Sequence, residues 1–267
     1  MQILGYLPFL TYLRKTGRFC SARGEKMKLI IIGSSSKGNS YALQSDSGEI
    51  LLIEAGIPLR EVKKAIGYKT SKVEVCLCSH RHSDHAKYIK EYAKAGIIVY
   101  SNANVSQHFP NCVRTLGCEC THCFGEFSAT PFFVKHDEDA PNYGYLIRHK
   151  EIGTIFFATD CYNLNFVIQG CNTYLAECNY SDELLDKAVA EGKTPRSQAD
   201  RVRLSHMSLE HAVSWLQDCK AVQSAHQIIL IHGSARHLNP TKAVNKFQQV
   251  FGIPVYYAQK GLEINLK

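Results

Sequence analysis

Residues 79–85 read SHRHSDH and follow directly on the apolar run VEVCLC at 73–78. Three histidines and an aspartate crowd the end of one strand-like segment. Neutral imidazole and carboxylate both bind zinc-type ions, so His80, His82, Asp84 and His85 are candidate ligands. Alternate side chains of an extended segment face the same way, which lets His80 and His82 reach one ion together. Asp84 and His85 fall where SDHAKYIKEYAKAG (83–96) turns helical, and they point to a second position.

Further along the chain, apolar strand-like runs recur at 28–33, 50–56, 96–101, 129–136, 144–149, 154–160, 172–179, 227–233 and 253–259. Helix-like stretches lie at 59–67, 83–95, 181–192, 208–220 and 239–252. Ser208 is placed to cap its helix, and Gly192 and Gly252 are natural stops. Early strands with few helices, followed by alternation, predict an α/β chain with two sheets and helices outside them. Three of the later strands end on metal-type residues: His136, Asp160 and His232. Functional residues of layered folds gather at strand ends. With the opening motif this makes seven candidate ligands. Two ions need about that many if each keeps an open position and one carboxylate bridges them. The site is therefore read as dinuclear, holding two divalent ions, zinc or manganese.

The chain has 267 residues, 45% of them hydrophobic, enough for one large core or two small ones. No apolar run approaches the roughly 20 residues that span a bilayer, so no membrane partner is expected. The net charge is +7, of which residues 1–26 carry +4. That segment puts its charges after a short apolar stretch, the reverse of a secretory signal. Met27 begins the first strand-like run and is read as the start of the folded domain, 27–267. Residues 1–26 are read as a disordered leader or an upstream extension. Eleven cysteines without a secretory signal fit a reducing cytosol better than a disulfide framework. Cys112, Cys118, Cys120 and Cys123 cluster in CVRTLGCECTHC, either as a small structural zinc site or as free thiols in a hairpin.

The run His80-Arg81-His82-Ser83-Asp84-His85 resembles the H-x-H-x-D-H signature of the metallo-β-lactamase superfamily. GSSSKGNSY (33–41), SHMSLEHAV (205–213) and YYAQKGLEINL (256–266) resemble its YycJ-like (WalJ) branch. The resemblance covers essentially 27–267. It implies a four-layer αββα sandwich of two mixed sheets and a nuclease-type phosphodiesterase. It further implies that His80, His82 and His136 hold one metal, Asp84, His85 and His232 the other, and that Asp160 bridges them. Glu54 stands at the end of the early strand LLIEAG, where the family usually has an aspartate supporting the metal ligands.

Glu177 in LAECNY and His206 in LSHMS resemble the glutamate–histidine pair of tRNase Z-type enzymes. That likeness implies that His206 protonates the leaving oxygen and Glu177 orients its ring, with Asp84 also counted among the catalytic groups. The two ions would acidify a shared water to hydroxide and clamp the oxygens of the attacked group. Asn39 in the Gly/Ser-rich turn, and Ser234 and Arg236 just after His232, are candidates for substrate binding. His108, His122, His149, His211, His226 and His237 are read as ordinary polar residues. The expected partner is a nucleic acid or nucleotide substrate, with a homodimer left open. Hydrolysis of a small or cyclic nucleotide, or of a thioester or lactone, is the alternative on the same metals. A decayed binding fold would have no reason to carry all seven ligands.

Overall fold

The computed structural model describes residues 27–137 and 139–267; the leader expected over 1–26 lies outside them. The described part of the chain opens with strands β1 (Lys28–Gly33), β2 (Ser40–Gln44) and β3 (Ile50–Ile53), helix α1 (Leu59–Ala65) and strand β4 (Val73–Leu77). Helices α2 (Ser83–Ala86) and α3 (Ile89–Lys94), strand β5 (Val99–Ser101), helix α4 (Ala103–His108) and strand β6 (Val113–Thr115) complete the first half. The second half begins with strands β7 (His122–Phe124), β8 (Phe127–Asp137), β9 (Ala140–His149), β10 (Gly153–Ala158) and β11 (Thr173–Glu177). Helices α5 (Asp182–Ala190), α6 (Arg196–Ser205) and α7 (Leu209–Asp218) precede strand β12 (Gln227–Ile231). Helix α8 (Pro240–Phe251) and strands β13 (Val255–Tyr257) and β14 (Glu263–Asn265) end the chain.

These strands form two mixed seven-stranded sheets, ordered β14-β1-β2-β3-β4-β5-β6 and β13-β12-β11-β10-β9-β8-β7. The burial of KLIIIG explains the stacking. Leu29 and Ile31 point inward, where they join Leu51, Leu77, Tyr145, Ile155, Phe157 and Ile229 between the sheets. Ile30 and Ile32 point outward and pack with Val62, Ile89 and Tyr92 of the first helix layer. Because both faces are covered, the strand is apolar from Leu29 to Ile32 instead of alternating. On the second sheet Phe156, Tyr174 and Ile228 bury outward against Trp215, Leu216 and Phe247. Each such side chain contributes about 1.5–3 kcal/mol. The result is the expected α/β sandwich of four layers, αββα.

Ser208 caps α7 through its side chain, and left-handed Gly252 closes α8, as the sequence predicts. The single helix expected over 83–95 is broken. In a continuous helix the Tyr88 amide would bond the Asp84 carbonyl. Instead that carbonyl accepts from the Asn39 amide at 2.7 Å, and Tyr88 donates to Ala55 at 2.9 Å. Tertiary hydrogen bonds thus cut the helix at the residue that must face the site. Helix α6 is absent from the sequence expectation. Its RSQADRVRLS buries only Ala199, so the apolar stripe that announces a helix is missing. Residues Tyr180, Leu185 and Ala199 form a small core of their own, apart from the three large ones. Among the described residues, no helix is long and apolar enough to cross a membrane.

Candidate functional site

Strand polarity gathers the candidate ligands along one edge. β4 runs parallel to β3, and the chain leaves them at Glu54 and at the 79–85 loop. In the other sheet β10, β11 and β12 are parallel, and they end at Asp160, Glu177 and His232. β8 is antiparallel to β9, which is antiparallel to β10, so His136 emerges at the same edge.

The seven side chains converge there into two groups that share one carboxylate. His80, His82, His136 and Asp160 form the first, and Asp84, His85, Asp160 and His232 the second. In the first, His82 Nδ1 lies 3.0 Å from His80 Nε2 and 3.1 Å from His136 Nε2. Asp160 Oδ2 is 3.3 Å from His80 Nε2 and 3.0 Å from His85 Nε2, so one oxygen faces both groups. Asp84 Oδ2 lies 3.2 Å from His85 Nε2 and 3.3 Å from His232 Nε2.

The donor set fits divalent ions. Three imidazole nitrogens that face one another cannot satisfy each other with the one proton each neutral ring carries. Ligand atoms about 2.0–2.1 Å from a tetrahedral zinc ion stand about 3.3–3.4 Å apart, close to the spacings above. Burial pushes His80 down to about 3 and lowers His136, which keeps both rings neutral, as ligation requires. Burial alone would raise the Asp84 carboxyl, but His232 and His85 hold it well below the usual range.

Behind these atoms, further groups fix the rings. Ser79 Oγ lies 2.9 Å from His80 Nδ1, and buried Glu54 places Oε1 3.4 Å from His85 Nδ1. The glutamate thus fills the supporting position expected of it, and its Oε2 also accepts from the Ser79 amide at 3.2 Å. Glu54, Asp160 and His232 take left-handed backbone angles, φ 69°, 50° and 56°. Each such residue costs of order 1–3 kcal/mol, and buried hydrogen bonds hold two of them in place. Asn142 Nδ2 donates to the carbonyls of Thr159 (2.7 Å) and Asp160 (3.0 Å). Asn179 Nδ2 donates to the His232 carbonyl at 2.7 Å, and the His232 amide donates to Ser34 Oγ at 2.9 Å.

Gly56 sits beneath the loop. A Cβ there would lie 1.7 Å from the Asp84 carbonyl oxygen, which is backbone and has no room to yield. Gly56→Ala is expected to destabilise the fold by about 2–3 kcal/mol and to reduce metal content. A thermal melt and elemental analysis check this; a melt and metal content like those of the parent chain would contradict it.

Beside the second group, His206 follows α6 and places Nδ1 2.7 Å from Glu177 Oε1 and 3.4 Å from Asp160 Oδ1. Glu177 is buried, and its Oε2 accepts from the amides of Cys161 (2.7 Å) and Met207 (3.3 Å). Burial works against charge on His206, but the Glu177 carboxylate overrides it, and the ring is pushed up to about 9. Asn39 is buried against the site, with Nδ2 3.2 Å from His85 Nε2 and 3.4 Å from Asp84 Oδ2. Ser234 and Arg236 line a cleft of about 830 Å³ above the site. Ser234 Oγ accepts from the backbone amides of Arg236 and His237, so its hydroxyl shapes the loop.

The cleft has a wall that the sequence reading missed, formed by Gln198, Arg201, Val202 and Ser205 of α6. His237, read as an ordinary polar residue, is buried with Nε2 3.0 Å from Thr194 Oγ1. Asn142 and Asn179 were also missed. Their one sequence signal is an amide embedded in an apolar strand segment. His211 is exposed, as expected. Among the described residues, the converging metal-type groups include none of Cys112, Cys118, Cys120 and Cys123, and all four are free thiols. A third group, Asp160, Glu177, His206 and His232, overlaps the second, and a fourth, Glu49, Glu126 and His149, lies elsewhere.

A family model described as the beta-lactamase superfamily domain matches residues 50–233. A search of curated proteins gave no significant match. Among solved structures, the metallo-beta-lactamase fold protein YhfI from Bacillus subtilis superposes with a TM-score of 0.70 at 18% identity, covering 90% of this chain and 99% of that one. The short form of human tRNase Z gives 0.63 at 15% identity, covering 90% and 100%. A diphosphatase from the PhnP family gives 0.64 at 15%, covering 90% and 98%. At these identities the likeness establishes the fold.

Proposed function

The chain belongs to the beta-lactamase superfamily, and from that premise we propose that it is a dinuclear metal-dependent phosphodiesterase, a nuclease acting on DNA or RNA. The signatures outside the metal motif favour its YycJ-like branch. The observation that carries the reading is the His206–Glu177 pair, 2.7 Å apart beside the shared carboxylate. Hydrolysis of thioesters and lactones has no comparable need for it, whereas an alkoxide leaving from phosphorus is a poor leaving group. A positioned acid is then worth about 10²–10⁴-fold.

Two divalent ions, zinc or manganese, would be held by His80, His82 and His136 and by Asp84, His85 and His232, with Asp160 between them. Such ions would supply an acidified water and neutralise charge on the attacked phosphate. The chain's residues do the rest. Asp160, locked by Asn142, holds the two groups of ligands at one separation. Asp84 faces the cleft and orients the attacking side. Glu177 accepts at His206 Nδ1, leaving Nε2 as the ring atom that carries a proton toward the departing oxygen. Arg236, on the cleft wall, contacts the substrate, whereas Asn39 is fully buried and steadies Asp84 and His85 instead.

Purified protein loaded with Mn²⁺ or Zn²⁺ is expected to hydrolyse bis(p-nitrophenyl) phosphate and labelled oligonucleotides. Turnover of a thioester or lactone alone would overturn the reading. The acid role also sets a pH dependence. His206 carries its proton below about 9, so kcat/KM is expected to fall as pH rises through that value. Glu177→Gln removes the charge that holds the proton and should move this limb toward the ordinary histidine value of 6.5. A limb that stays in place in that variant would assign it to another group.

A further inference from the structure

We propose that the cleft-facing side of α6, with Arg201 at its centre, forms together with Arg236 and Lys37 a second phosphate subsite beside the metal centre, which holds a backbone phosphate of a nucleic-acid strand next to the one being cleaved. The proposal deepens the nuclease reading above and rests on it. Gln198, Arg201, Val202 and Ser205 follow i, i+3, i+4, i+7 spacing, which is one face of a helix, and all four line the cleft. On that face Val202 packs against the small core around Ala199, whereas Gln198 and Arg201 are exposed. The buried residue of the helix is Ala199, and Arg203, pointing elsewhere, is ion-paired with Asp186 and Asp200.

The cations of the cleft rim are placed differently. Arg201, Arg236 and Lys37 are exposed, line the same cleft and make no ion pair among the described residues. They come from three separate segments: α6, the loop after β12, and the turn after β1. The cleft carboxylates Asp84, Asp137 and Asp160 lie instead on the histidine side, within 3.8 Å of His82, His85 or His232. One wall is therefore cationic and the floor is metal-binding. Arg201 stands one helical turn, about 5.4 Å, before Ser205, the neighbour of His206. On one strand of a duplex, with a phosphate about every 3.4 Å of helix axis, that offset reaches a phosphate one or two positions from the reacting one. A guanidinium grips such a group through two parallel hydrogen bonds.

The test compares Arg201→Gln, Arg236→Gln and, as a control off this face, Arg203→Gln. Binding of metal-loaded protein to a short fluorescein-labelled strand with phosphorothioate linkages is followed by anisotropy over a salt series. Arg201→Gln is expected to weaken binding about ten-fold and to make the slope of log Kd against log salt shallower by about 0.7, the value of one phosphate contact on a single strand. Arg236→Gln should behave alike, and Arg203→Gln should follow the parent protein. The ratio of kcat/KM for a cleavable oligonucleotide to that for bis(p-nitrophenyl) phosphate, which has a single phosphate, should fall at least ten-fold in Arg201→Gln. An unchanged salt slope, or equal losses on the two substrates, would overturn the subsite. If the parent protein cleaves neither diester, the nuclease reading fails, while the salt slope still decides whether the cationic wall binds a strand.

Discussion

Asp160→Ala is expected to hold at most one metal per chain and to lose turnover by about 10³-fold or more, beyond the 10²–10³ typical of a single lost hydrogen-bond donor. Asp160 is the one residue common to both ligand groups, and its Oδ2 stands within 3.3 Å of a histidine from each. No other described carboxylate occupies that position. The substitution also leaves an alanine at φ 50°, which costs roughly 1–2 kcal/mol. Asp160→Asn is therefore the companion variant, since asparagine tolerates the left-handed region while losing the charge. Elemental analysis of both proteins decides the matter. Two metals retained in either would mean that the carboxylate does not bridge.

His206→Ala should keep both metals and the folded domain while losing about 10²-fold or more on diesters with alkoxide leaving groups. With p-nitrophenolate, whose low basicity needs little protonation, the loss should shrink sharply. Glu177→Gln should give a weaker version of the pattern, because its oxygen at 2.7 Å orients the ring without giving up a proton itself. Equal losses on both leaving groups would make His206 a phosphate-binding residue. Loss of a metal would make it a ligand, consistent with the third group of Asp160, Glu177, His206 and His232.

The metal centre was legible in the sequence because its atoms are chemically distinctive and its positions are strand ends. HRHSDH announces itself after an apolar run, and His136, Asp160 and His232 each terminate another. The layering was legible for a related reason: KLIIIG, apolar at every position from Leu29 to Ile32, has to be covered on both faces. What escaped reading is what neighbours distant in the chain impose. Nothing within 83–95 reveals that Asn39 will take the Asp84 carbonyl and break the helix. The left-handed turns at Asp160 and His232 depend on Asn142 and Asn179, whose roles exist only once the sheets are stacked. Strands β2 and β14 and helix α6 were missed because their apolar content is low or their length short, and periodicity has little to grip.

The small core of Tyr180, Leu185 and Ala199 has a consequence for how the molecule opens. Local unfolding takes place in units whose free energy follows the apolar surface each one buries. The sheets are held by large, continuous cores, whereas α5 and α6 are held by three buried side chains and a few partly buried ones. The helical pair is therefore a foldon of low stability resting on a rigid base. Its amide protons should exchange with solvent well before those of β10, β11 and β12. Such a unit is expected to open without disturbing the metal-type ligands beneath it, which makes this wall the yielding side of the cleft.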